Sequence, residues 1–334
     1  MPIDIANTVV LQTLEEYFRS HPPEQERIAQ IRQLIAAEHW PQNQKQKPLE
    51  VAYLLQTDQA IALFQRGEFA KAVEKVNQAM ADHADYFPAL NVLGDVAFEK
   101  ADFAGAATQY RKSLDRNPKQ PVIAQRFATA LGASLDPRQA AQQYGSWLVF
   151  APAEVRESAG VAVEDVGLKL LAGDTEQAKH FAEVVAQSDK DDAPLIQGRL
   201  GWWYYRASDV ETAEKLLTSA VEQRPQDGWL NMKLGWALAV QKKYESAQQR
   251  LYASASDADQ RIKADSEMGL AVTEWQSRQR EMALAHYRNA VADRKAWGNP
   301  QWVNALYGSA VSSTVSTLQQ EDAKQRNLST FHEP

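Results

Sequence analysis

The chain has 334 residues, a net charge of −7 at neutral pH and no cysteine. Those facts exclude disulfides, thiolate metal sites and a cysteine nucleophile, and they leave no basic field to draw in nucleic acid or an anionic membrane. No apolar stretch is long enough to span a bilayer, and Met1-Pro2-Ile3-Asp4-Ile5 lacks the basic and apolar regions of a secretory signal, so cytoplasm is the expected location, or periplasm if a signal segment has been removed.

Residues 1–52 open with two stretches of helical period, Val9 to Phe18 and Glu24 to Ala37, separated by His21-Pro22-Pro23. The run from Pro41 to Pro48 has the composition of a linker. We read this region as a helical cap plus linker, with a degenerate opening hairpin or pairing of two protomers through 1–50 as the alternatives. From Tyr53 a 34-residue beat begins, and the units 53–86, 87–120 and 121–154 abut without a gap. Leu93-Gly94, Phe103, Ala106, Tyr110 and Pro118 mark the second unit. Leu200-Gly201, Ala213, Leu217, Ala220 and Pro225, and then Leu234-Gly235, Tyr244, Ala247 and Leu251, fall in the same relative places. Small residues at the recurring positions let paired helices approach, large ones fill the space between pairs, and each proline stops a helix before the next unit. Asp136-Pro137 and Asp174-Thr175-Glu176-Gln177 read as helix starts.

Segment 155–192 is irregular: four extra residues precede its second helix, and the stripe Val155, Ala159, Ala162, Val166, Leu170 predicts one added turn on its first. Residues 194–297 return to register as three more units. A terminal capping helix is predicted within 298–318, over Gln301 to Leu318, and disorder over the polar tail 319–334.

These residues resemble the tetratricopeptide repeat family over roughly 53–297. The resemblance implies an all-α, right-handed superhelix (an α-solenoid) of about seven helical hairpins with capping helices at both ends. It also implies that the first helix of each hairpin lines a concave groove. On the inward positions the N-terminal groove carries Asn91, Asp95, Phe98 and Gln125, a mixed and mildly acidic lining. The C-terminal groove carries Trp202, Tyr205, Arg206, Trp229, Met232, Trp236, Met268 and Trp275. Seven of the nine tryptophans lie beyond residue 200 and four of those seven point inward, which suggests an aromatic cradle for an apolar peptide or an amphipathic helix of another protein. The competing reading is that they fill a tightly wound superhelix or stack on the terminal helix. Trp203 and Tyr204 sit at packing positions. Some family members clamp acidic C-termini with inward basic residues; Asp95 argues against that here.

No phosphate loop, dinucleotide fingerprint, HExxH or nucleophile elbow occurs. His180 and His286 are read as solvated, and Glu164, Asp165 and Glu274 as a solvated face or as groove carboxylates. The expectation is therefore a non-catalytic interaction scaffold without metal or cofactor, or, as the alternative, the targeting part of a larger enzyme such as a transferase.

Overall fold

The computed structural model describes residues 51–330 apart from 82, 188 and 189, together with residue 33. The expected N-terminal cap and any pairing through 1–50 lie outside the described residues. Seven antiparallel hairpins follow one another: α1 (Ala52–Gln65) with α2 (Phe69–Met80), α3 (Phe87–Glu99) with α4 (Phe103–Arg116), and α5 (Pro121–Ser134) with α6 (Pro137–Phe150). After the single turn α7 (Ala153–Arg156) come α8 (Ala159–Leu171) with α9 (Thr175–Ala186) and α10 (Ala193–Arg206) with α11 (Val210–Gln223). The last two pairs are α12 (Gly228–Val240) with α13 (Tyr244–Ser254) and α14 (Gln260–Gln276) with α15 (Arg280–Asp293). The array is an α-solenoid with no strand among the described residues.

Local chemistry explains the boundaries. Asp102, Asp136, Asp174, Asp209, Asp227 and Asp259 each accept a hydrogen bond from a backbone N–H in the first turn of the helix they precede. Inside six hairpins the chain reverses through one left-handed residue: Gly67, Ala101, Gly173, Ser208, Lys242 and Arg278. Four of these are not glycine, so the reversal itself, and not residue type, imposes the conformation. The small residues at the helix crossings are sealed: Ala72, Ala106, Ala140, Ala178, Ala213, Ala247 and Ala283 have no exposed surface. A Cβ at Gly94 would run into the Tyr110 ring.

Two expectations change. The extra residues of the fourth unit form the separate turn α7, not an extension of the first helix, because extended Ser158 breaks the chain before α8. Up to Thr330 the C-terminal region is neither one capping helix nor a disordered tail. It runs as the 3-10 turn η1 (Lys295–Gly298), α16 (Pro300–Tyr307), a break at left-handed Gly308, and α17 (Ser309–Thr330). As far as Thr330 this segment is helical despite its polar composition, because Arg288 on α15 binds Asp322 and, at 2.8 Å, Gln325, while Leu318 is buried on the array; residues 331–334 lie outside the described residues.

Candidate functional site

The inner face divides into two unlike regions. Over repeats five to seven the predicted cradle is filled by the chain itself. Trp236 has no exposed surface and stacks on Trp297 with ring centroids 5.7 Å apart and planes 10° apart. Tyr307 lies 4.7 Å from both rings, and its hydroxyl donates to Asp265 at 3.0 Å. Met232 and Met268 are buried, and the Tyr205 hydroxyl donates to the Tyr307 carbonyl at 3.3 Å. The cradle as an open seat for an apolar peptide or helix is therefore corrected at Tyr205, Met232, Trp236 and Met268: all four are core, and η1 and α16 meet Trp236 and Tyr205 directly. Trp202, Arg206, Trp229 and Trp275 keep partial exposure. Trp203 and Tyr204 are buried as read.

Asp265 organises this filled region. It accepts from the Trp297 indole N–H and the Tyr307 hydroxyl at 3.0 Å each, and from Arg294 at 2.9 and 3.1 Å. Arg294 also donates to Glu99 of repeat two at 2.6 and 3.1 Å and lies over the Trp302 ring at 4.5 Å. Burial opposes the charge on Arg294, but Glu99 and Asp265 outweigh it and hold its pKa well above the ordinary value.

That pairing closes the C-terminal end of the array over its N-terminal wall and leaves a cleft of about 770 Å3 between them. Ile61, Phe64, Asn91, Asp95, Glu99 and Arg126 line one side; Asp259, Arg261, Arg294 and Lys295 line the other. Asp95 is not a bare acid: Arg126 meets both its oxygens at 2.7 Å and the Tyr110 hydroxyl donates to it at 2.7 Å. Arg261 lies over the Phe64 ring at 5.2 Å, 3.8 Å from Asp95. Asn91 donates to Gln120, while its own carbonyl oxygen is buried with no hydrogen-bond partner among the described residues. Of the four residues expected to line this groove, Asn91 and Asp95 do so. Phe98 packs instead edge-on against Phe103, and Gln125 is not among the lining residues. Arg261, Arg294 and Lys295 were missed by sequence reasoning, since nothing local marks residues that act across the array.

Three polar readings are also corrected. Glu164 is neither solvated nor a groove carboxylate: it is buried under Arg199 and accepts from the Trp203 indole N–H at 3.1 Å. His286 is half-buried, its Nδ1 2.6 Å from Glu267. Glu274 is buried and accepts from the Tyr252 hydroxyl at 3.0 Å. Among the described residues no group of three or more His, Cys, Asp or Glu stands where it could hold a metal ion, and no helix is long and apolar enough to cross a membrane.

Residues 57–121 and 199–261 match the tetratricopeptide repeat family. No curated protein sequence matches the chain. Among solved structures, a tetratricopeptide repeat protein from Parabacteroides merdae is similar at 14% identity, over 80% of this chain and 99% of that one, with a TM-score of 0.45. PilW, a widely conserved type IV pilus biogenesis factor, is similar at 11% identity over 73% and 94%, with a TM-score of 0.41. Pseudomonas aeruginosa PilF is similar at 13% identity over 80% and 97%, with a TM-score of 0.38.

Proposed function

Because the chain carries tetratricopeptide repeats, we propose that it is a non-catalytic interaction scaffold that holds a polypeptide segment of a partner protein in the cleft between its N-terminal wall and the 258–261 and 292–295 turns. One observation carries this reading: the aromatic half of the inner face is occupied by η1 and α16, whereas the N-terminal half retains a roomy, mixed cleft. Phe64 and exposed Ile61 offer apolar contact, and the unpartnered Asn91 carbonyl offers an acceptor for a backbone N–H of an extended segment. The acids of the cleft are already engaged internally, so the lining does not repel a polar segment.

Photo-crosslinking in cells tests it. A benzophenone amino acid at Ile61, inside the cleft, is expected to trap a discrete partner. The same group at Val149, which is exposed at 66% and does not line the cleft, is expected to trap none. Equal trapping from both positions, or from Val149 alone, sinks the assignment of the cleft.

A further inference from the structure

The two walls of the cleft come from opposite ends of the array, and they meet through charge. Arg294 binds Glu99 at 2.6 and 3.1 Å, and Arg261 lies 3.8 Å from Asp95 and 5.2 Å over the Phe64 ring. Midway along the array the stacking is also unlike the rest. The link from α6 to α8 is longer than any other between successive hairpins, and it runs through extended Ala151, the turn α7 and extended Ser158. Beside that link the Tyr144 hydroxyl of α6, one oxygen of Asp165 of α8 and Nη1 of Arg206 of α10 are buried with no hydrogen-bond partner among the described residues. Tyr144 feels the charges of Glu164, Asp165 and Arg199, and Nη2 of Arg206 would lie 3.3 Å from a Cβ added at Gly132 of α5. All three stranded atoms thus belong to the joint where repeat three meets repeats four and five. On the outer side α9 buries only Ala178 and Val185 and leaves Val184 53% exposed.

Either side of the joint the packing is firm. Arg126 holds Asp95 across repeats two and three, and a Cβ at Gly167 would strike the Trp203 ring, which fixes α8 against α10. A stack in which each repeat touches its neighbours bends at its poorest interface, and water that enters there satisfies polar atoms the closed joint leaves stranded. Opening the inner side compresses the outer one, where the loosely packed α9 can give. Arg294 keeps Asp265 when Glu99 leaves it, so release strands no cation. We infer that the array is a clamp of two bodies, 52–150 and 159–330, which open and close on the cleft about the 151–158 link, with Glu99–Arg294 as the latch. The inference rests on the cleft as the partner's seat and adds that latch release is the step that admits and frees the bound segment.

The chain has no cysteine, so introduced pairs place nitroxide labels at known positions for distance measurement by double electron–electron resonance on the full chain. Asn77→Cys on α2 with Glu281→Cys on α15 spans the two bodies. Asn77→Cys with Gln142→Cys on α6 lies within the first body, and Glu211→Cys on α11 with Glu281→Cys within the second; all four positions are exposed. With the latch intact, a longer distance between the bodies is expected in no more than about 10% of molecules. Glu99→Gln is expected to raise that fraction three-fold or more. Tyr144→Phe added to it is expected to lower the fraction two-fold or more, because the closed joint then strands one polar atom fewer. Should Glu99→Gln fail to fold, Arg261→Gln, at a half-exposed contact, is expected to raise the fraction two-fold or more. The pairs within each body are expected to keep one distance throughout. Unchanged distances between the bodies in folded variants, equal broadening within a body, or a long distance indifferent to Tyr144→Phe overturns the clamp about 151–158. These readings need no partner, so trapping from Ile61 can fail with the clamp intact, and the clamp can fail with that trapping intact.

Discussion

The inner faces of the first and last three repeats are built on one pattern and do opposite things. Repeats one to three put Asn91, Asp95 and Arg126 into a cleft that remains open. Repeats five to seven put Trp236, Met232 and Met268 at inner positions, where all three are buried, and Trp297 of η1 and Tyr307 of α16 pack on Trp236. An inner position is thus a place where something can bind, and the occupant can be the same molecule. Large aromatics on such a face signal a strong contact without saying whether it is intramolecular.

The contrast predicts unequal sensitivity to mutation. The largest effect is expected at Asp265, because Asp265→Ala leaves the Trp297 N–H and the Tyr307 hydroxyl without their acceptor in the core and takes from Arg294 one of its two carboxylates. Losing one partner of such a buried network costs about 3–5 kcal/mol, readable as a lowered urea midpoint; an unchanged midpoint would mean that α16 is loosely seated. A smaller loss is expected for Glu99→Gln, where Arg294 keeps Asp265. About 1–3 kcal/mol is expected, with faster hydrogen exchange in α3 and the 292–295 turn. No change in exchange would break the link between the two halves. The smallest effect is a pH dependence confined to the C-terminal repeats. Glu267 raises the pKa of His286, although burial opposes it, so the folded state holds that proton more tightly than the unfolded chain. The resulting stability is fully present below about 6.5 and is lost as pH rises through the raised value. Burial raises Glu274 in the same cluster, which adds a penalty on ionisation in the same direction. Urea midpoints are expected to fall from pH 6 to pH 7.5, below the range in which Lys233, pushed down to about 8 by burial, sheds its proton in the folded state and stability rises with pH; His286→Gln is expected to flatten the fall.

Most of the fold was legible because it is local. Alanines at fixed spacing, aspartate caps such as Asp136 and Asp174, and prolines after helices each act within one hairpin, and their repetition reveals the array. The cleft was half legible for the same reason: Asn91 and Asp95 lie on a first helix at predictable positions, whereas Arg261, Arg294 and Lys295 matter through where the array brings them. The C-terminal region went astray in an instructive way. Trp297 and Trp302 beyond the last repeat were the available signal that this segment has a buried face, and Gly308 marked the break that turns it inward. The helical run to Thr330 gave no such signal, since an ion pair of Arg288 with Asp322 and its hydrogen bond to Gln325 hold it where apolar periodicity does not.

The Glu99–Arg294 pair joins residues 195 positions apart. A linear repeat array is stabilised only by its neighbours, so it can fray from either end one unit at a time. A clasp between its second and last hairpins couples those ends, because opening one also severs the bond that secures the other. Unfolding should then approach all-or-none behaviour over the whole array, and folding should slow, since the distant contact rewards the chain only after a long loop has closed.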